Sequence, residues 1–347
     1  MGGQQLTERE RRVLEAVIQS YVETAEPAGS RMISRRFGLG VSPATVRNTM
    51  SDLEAKGFLY HPHTSAGRVP TDMAYRVYVD SLMRPPPLHD EARGRLLEQL
   101  SSGGTAIESI LRRAAQMLGV LTQELGVALG PRLEEAQLER LELIRLSSER
   151  LLLVLRLRGG AVHSIFVEVP GEIAEKALAE VSLVLNERLA GLALRDIRAS
   201  LSERLRDTGA GSNARELLNI FVQGGEQIFD VSHPLTDPQL VLGQTSVLAE
   251  QPEFASGASL RKLIALTDRP EALGELLRTR GEHQGLSITI GTEHADPSFA
   301  DFTIVTAAYR FGALGGVIGV IGPTRMPYEK VVTLVTHTSR MISDLLD

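Results

Sequence analysis

The stretch that decides the fold reads Ser42-Pro43-Ala44-Thr45-Val46-Arg47-Asn48-Thr49-Met50-Ser51-Asp52-Leu53-Glu54-Ala55-Lys56-Gly57. A serine hydroxyl caps the free N–H groups of a helix start, proline suits the first helical position, and glycine suits the residue past a helix end. The pattern predicts a helix between Pro43 and Lys56. Val46, Met50 and Leu53 recur at helical spacing and form its core face, so Thr45, Arg47, Asn48 and Ser51 point elsewhere. Arginine matches guanine O6 and N7, asparagine matches adenine N6 and N7, and a hydroxyl can bond a base or a phosphate.

The flanks give this helix a context. Upstream, Thr7 and Glu10 have capping-box spacing, and Val13, Leu14, Val17, Ile18, Tyr21 and Val22 line one face of a helix from Leu6 to Thr24. Pro27 and Gly29 break it, Ser30 caps a short helix through Ile33 and Phe37, and Gly38-Leu39-Gly40 turns the chain. Downstream, Phe58 to His61, a polar tip from Pro62 to Arg68, and Val69-Pro70 read as strand, turn and return strand. Helix, short helix, turn, helix and hairpin is the winged helix-turn-helix layout, whose last helix enters the major groove.

The hairpin tip gathers His61, His63, Thr64, Ser65 and Arg68 around Gly67, a set rich in donors and free of acids. Such a tip suits a phosphate backbone or a minor groove. The expected DNA contacts are therefore Ser42, Thr45, Arg47, Asn48 and Ser51 on the helix, with His61, His63, Thr64, Ser65 and Arg68 on the wing. Ser42 is expected both to cap the helix and to touch a phosphate. A polar helix face is ordinarily just solvated, and Arg47 can pair with Asp52 or Glu54. The short helix, the glycine turn and the basic hairpin around it favour DNA. Two histidines flanking a proline, with no carboxylate or thiolate beside them, are poor metal ligands.

Charge agrees once it is divided. The 347 residues carry a net −6, which argues against indiscriminate coating of nucleic acid. Residues 1–84 hold 11 basic against 9 acidic residues, and within Gly29 to Arg76 the count is 7 against 3. A small basic module is joined to an acidic body. The chain contains no cysteine, which removes disulfides, thiolate metal sites and thiol switches, and implies a reducing compartment. No apolar run approaches a bilayer span and the start has no signal-peptide pattern, so a soluble cytoplasmic protein without membrane partner is expected.

Thr71-Asp72 can cap a further helix carrying Tyr75, Tyr78, Val79 and Leu82, and Pro85-Pro86-Pro87 marks the first domain boundary. Beyond it the pattern is helical from Glu91 to Leu129. Three strands follow, at Leu138 to Leu146, Leu151 to Leu157 and Ala161 to Val169. Helices come next at Glu172 to Leu192, Leu194 to Arg206 and Asn213 to Phe229, and again from Leu260 to Arg280 with a turn at Asp268-Arg269-Pro270. Strands return at Leu286 to Ile290, Asp301 to Arg310 and Gly316 to Ile321, before a closing helix from Tyr328 to Leu346. The expected class is α+β, with a mixed sheet-and-helix domain of residues 85–171 and 256–347 interrupted by a mostly helical insert, 172–255.

Three other groups invite chemistry. Gly312 to Gly319 lacks the Gly-Lys-Ser/Thr ending of a phosphate loop and reads better as a glycine hairpin. Arg325 suits a turn or an interface more than an anion site. Glu293, His294, Asp296 and Asp301 are the best catalytic candidates, yet no second histidine stands at metal spacing, and an acidic loop between strands is the simpler reading. No catalytic residue, cofactor or metal is expected.

The runs Val41-Ser42-Pro43-Ala44-Thr45-Val46-Arg47-Asn48, Leu53-Glu54-Ala55-Lys56-Gly57-Phe58-Leu59 and Pro62-His63-Thr64-Ser65-Ala66-Gly67-Arg68-Val69-Pro70-Thr71-Asp72 closely resemble the HrcA family of heat-inducible transcription repressors. Glu26-Pro27-Ala28-Gly29-Ser30, Tyr75-Arg76-Val77-Tyr78-Val79-Asp80 and Gly322-Pro323-Thr324-Arg325-Met326-Pro327-Tyr328 also resemble family motifs. Ala28, where the family usually has valine, and Met73-Ala74, where a basic residue and glycine are common, depart from the pattern. The resemblance implies a winged-helix domain, a GAF-like domain and an inserted dimerisation domain. It also implies a homodimer on an inverted-repeat operator of chaperone operons (groESL/dnaK type), modulated by the GroEL chaperonin and released on heat stress. A metabolite-responsive repressor with ligand in the GAF-like domain is the alternative, and an enzyme built on Glu293 and His294 a more distant one.

Overall fold

The computed structural model describes residues 6–63, 67–102, 107–131, 133–158, 162–171, 173–206, 212–229, 240–281, 285–312 and 314–346. The chain begins with α1 (Glu8–Thr24), α2 (Ser30–Arg36) and α3 (Pro43–Ala55), followed by a two-stranded antiparallel hairpin of β1 (Leu59–Tyr60) and β2 (Val69–Pro70). The predicted caps are present: Thr7 and Glu10 form a capping box, and the Ser42 hydroxyl accepts from Thr45 N at 3.2 Å. Val13, Leu14, Val17, Ile33, Val46, Met50 and Leu53 are buried together, as the helical spacing required.

α4 (Asp72–Val77) runs into a π-helical turn, then come α5 (Asp90–Ser101) and α6 (Ile107–Thr122). The helical reading of Glu91 to Leu129 needs correction at its end, where the chain forms β3 (Leu125–Leu129), buried at all five positions. A strand covered on both faces shows no alternation and looks like more helix core.

The next strands, β4 (Leu138–Arg145), β5 (Arg150–Leu157) and β6 (Val162–Glu168), make a three-stranded antiparallel sheet of their own. Its inner face, with Leu141, Leu151, Leu153 and Leu155, packs on α7 (Glu175–Leu189), α8 (Leu194–Arg204) and α9 (Ser212–Ile228) through Val181, Leu185, Ile197, Leu201 and Phe221. The Asn186 amide ties α7 to β4, accepting from Leu141 N at 2.8 Å and donating to Leu141 O at 2.7 Å.

A five-stranded antiparallel sheet contains β3, β7 (Leu240–Leu242), β8 (Leu286–Ile290), β9 (Phe302–Phe311) and β10 (Leu314–Pro323), in the order β7-β3-β10-β9-β8. α6 and α13 (Tyr328–Leu346) cover one face; α10 (Ser246–Ala249), α11 (Gly257–Thr267) and α12 (Pro270–Gly281) contribute to the core on the other. The strand grouping expected from sequence is therefore corrected. Strands 138–169 do not join those of 286–321, and residues 240–242 lie in the large sheet rather than in the insert. Leu129 pairs with Leu240, so the chain leaves and re-enters the large sheet on adjacent strands. That adjacency is what lets a whole packed unit be inserted without disturbing the host.

The head, α1 to α4, is not loosely tethered. Its core is continuous with that of α6, α13 and one face of the large sheet. Tyr75 and Tyr328 lie with ring centroids 5.6 Å apart across the junction. Among the described residues no helix is long and apolar enough to cross a membrane.

Candidate nucleic-acid interface

α3 buries Val46, Thr49, Met50 and Leu53 and exposes Arg47, Asn48 and Ser51. Ser42 is exposed at its N-cap, and Thr45, half-buried, lies 3.0 Å hydroxyl to hydroxyl from it. Thr49 lies on the buried face, and its hydroxyl is satisfied by donating to Thr45 O at 3.1 Å. The helix is braced at its other end: the Lys56 ammonium meets the Glu10 carboxylate at 2.6 Å, and that hydrogen bond holds the Glu10 pKa below its ordinary value. Five expected contact residues thus lie along the first three turns of one braced helix.

The wing divides. His63 is exposed, whereas His61 and Arg68 both turn to Glu54 on α3, at 3.1 Å and 2.7 Å. The Arg68 side chain is only 13% exposed, so it serves the wing's attachment to the helix. Arg68 also pairs through its backbone with Ala28, donating N–H to O at 3.0 Å and accepting in return at 2.8 Å. The two sequence motifs around Ala28 and Gly67 are thus opposite sides of one bridge. Thr64 and Ser65 lie outside the described residues.

Sequence reasoning offered Glu54 only as a partner for Arg47 and did not foresee its pairing with Arg68, fourteen positions away in the hairpin, because that pairing depends on the fold. It also left aside Arg31 and Arg35. Both are exposed on α2 and have no carboxylate partner among the described residues, whereas Arg36 pairs with Glu23. Their place on the first helix of a helix-turn-helix could have signalled phosphate contact.

The acidic loop dissolves into separate contacts. Glu293 accepts from Arg76 and from Ile290 N, Asp296 accepts from Ser298 N, and Asp301 pairs with Lys262. His294 is buried, and burial lowers its pKa. Among the described residues no group of three His, Asp or Glu side chains could hold a metal. Of the run Gly312 to Gly319, Gly312 lies in the left-handed region just after β9, and Leu314 to Gly319 are already in β10, paired antiparallel to β9.

Three helices followed by a two-stranded hairpin, with an exposed polar face on the third helix, open a mixed α/β chain. A family model described as "HrcA protein C terminal domain" matches residues 108–332. The chain is 40% identical to the heat-inducible transcription repressor HrcA of Chlorobium phaeobacteroides, with 98% of each chain covered. It is 37% identical to that of Geobacter sulfurreducens, with 99% of this chain and 98% of the relative covered. The chain belongs to the HrcA family of heat-inducible transcription repressors. A solved structure titled only as a hypothetical protein shares the fold, with a TM-score of 0.65 at 19% identity over 99% of both chains.

Proposed function

We propose that this chain is a sequence-specific DNA-binding repressor of heat-shock chaperone operons, acting in the cytoplasm as a homodimer on an inverted repeat. Arg47, Asn48 and Thr45 read bases, Ser42 and Ser51 support them, and His61, His63, Thr64 and Ser65 follow the backbone from the wing. Arg68 contributes by holding the wing in place. The observation that carries this reading is the exposure of Arg47 and Asn48 on a helix whose opposite face is buried.

The five-stranded unit is the GAF-like domain and the insert is the dimerisation domain. Self-association is supported by the outer face of the small sheet, where register aligns Ile144, Leu152 and Phe166 in one row. Ile144 is 44% and Phe166 69% exposed, and Val162 is exposed at one end of β6. Apolar surface gathered on one sheet face favours burial against a partner.

Footprinting of the purified protein on DNA upstream of chaperone operons tests the reading. Symmetric protection of two half-sites is expected, and uniform protection or none would overturn it. The GroEL-type chaperonin modulates activity by restoring the DNA-binding state after heat. Operator binding across temperature, with and without chaperonin, tests that part, and identical curves would remove it.

A further inference from the structure

Two family-like motifs have no part in reading DNA, and both place an arginine at the junction between head and body. Arg325, from the body, forms a two-pronged pair with Glu253, with Nη2 to Oε2 at 3.0 Å, and donates through Nη1 to Val22 O at 2.7 Å. Val22 is in the last turn of α1, where helix carbonyls lack intrahelical partners and the dipole end is negative. α1 carries no basic residue there, so the body supplies the cation from 303 residues away. Arg76, from α4 of the head, does the reverse: it grips Glu293 at 2.7 and 2.5 Å and donates to Ile288 O at 2.7 Å. Each clamp combines a carboxylate on its own or the opposite side with a backbone carbonyl across the junction.

The apolar attraction between head and body is not directional. A guanidinium held by two carboxylate oxygens and a carbonyl fixes direction. Burial is the largest single influence on the Arg325 charge and works against it, but the hydrogen bond and the negative charge of Glu253, with smaller contributions from Tyr75 and Tyr21, together leave its pKa raised. We propose that Arg325 and Arg76 are positioning residues for operator binding, locking the head at one angle so that a dimer presents its two α3 helices at a spacing set by the body. This rests on the dimer-on-inverted-repeat reading. Two linked modules gain affinity only where their geometry permits simultaneous engagement.

The test uses the full chain, as wild type, Arg76→Ala/Arg325→Ala, and the milder Glu253→Gln. Because the protein has no cysteine, Arg9→Cys on the head and Glu271→Cys on the body can be spin-labelled uniquely. Dilution with unlabelled protein keeps the measured distance within one chain. A single narrow head-to-body distance is expected for wild type, a several-fold broader distribution for the double variant, and an intermediate one for Glu253→Gln. On DNA, the double variant should bind a single half-site as wild type does, lose about tenfold on the full inverted repeat, and lose its preference for native half-site spacing over insertions of one to three base pairs. A narrow distance in the double variant, an unchanged spacing profile, or an equal loss on half-site and full operator would each overturn the proposal. If the wild-type chain itself shows no operator preference, the functional reading fails, while the distance measurement still judges the clamps.

Discussion

Glu54 on α3 holds Arg68 of the β1–β2 hairpin at 2.7 Å, so an acid on the helix with the exposed polar face organises the basic hairpin beside it. The same carboxylate reaches His61 at 3.1 Å. On a helix proposed to meet DNA a negative charge costs affinity, and the Arg68 and His61 contacts supply the structural reason for this one. Replacing Glu54 with alanine should lower stability by about 1 to 3 kcal/mol, because a largely buried arginine loses its charged partner. Non-specific DNA binding should rise as a negative charge disappears, and discrimination between operator and random DNA should fall. Denaturant unfolding together with titrations on both DNAs checks this; unchanged discrimination would contradict the role given to Glu54.

Gly67 stands where the wing crosses the segment before α2. A Cβ there would collide with the Ala28 carbonyl and lie 2.7 Å from Pro27 O, and backbone on both sides cannot yield as a flexible side chain does. Gly67→Ala should therefore cost about 2 to 3 kcal/mol and impair DNA binding through the displaced wing. Thermal melts of variant and wild type check the first part. Equal melting temperatures would show that the bridge to Ala28 is dispensable.

Arg47→Ala removes an exposed side chain with no carboxylate partner among the described residues, so folding stability should stay within about 0.5 kcal/mol of wild type. Operator affinity should drop by about 1 to 3 kcal/mol, and base preference should relax at one position in each half-site. Selection of preferred sequences from a randomised half-site reads both effects.

Glu124 is 2% exposed, beside Gln251, whose amide donates to it at 3.1 Å. Burial pushes its carboxyl well above the ordinary value of 4.5. The folded state therefore holds this proton more tightly than the unfolded chain. The associated stability is complete below the ordinary carboxylate value and is lost as pH rises through the folded one. Glu124→Gln, neutral at every pH, should unfold later than wild type at neutral pH, with the gap closing in acid. Unfolding midpoints measured from pH 4 to 8 reveal the sign, and parallel curves would contradict it.

Much of the head was legible because its signals are local. A capping serine, a proline at the first helical position, and Val46, Met50 and Leu53 on one face are all read within a few residues. β9, β10 and α13 were legible for the same reason, through runs bounded by glycine and proline. β3 was not, since burial on both faces erases the alternation that marks a strand. The grouping of β4, β5 and β6 into their own sheet was hidden too, because strand pattern does not say which sheet a strand joins. Among site residues, exposure along α3 followed from helical spacing. The capture of Arg68 by Glu54 and of Val22 O by Arg325 depended on contacts made only after folding.

The proposed function turns on α3 reading a particular DNA sequence. A fluorescence-anisotropy titration at fixed salt, comparing the inverted repeat of a chaperone operon with the same bases in scrambled order, tests it most directly. Affinity for the repeat should be at least about 10³-fold tighter, a ratio diminished by Arg47→Ala. Equal affinity for both duplexes would contradict it.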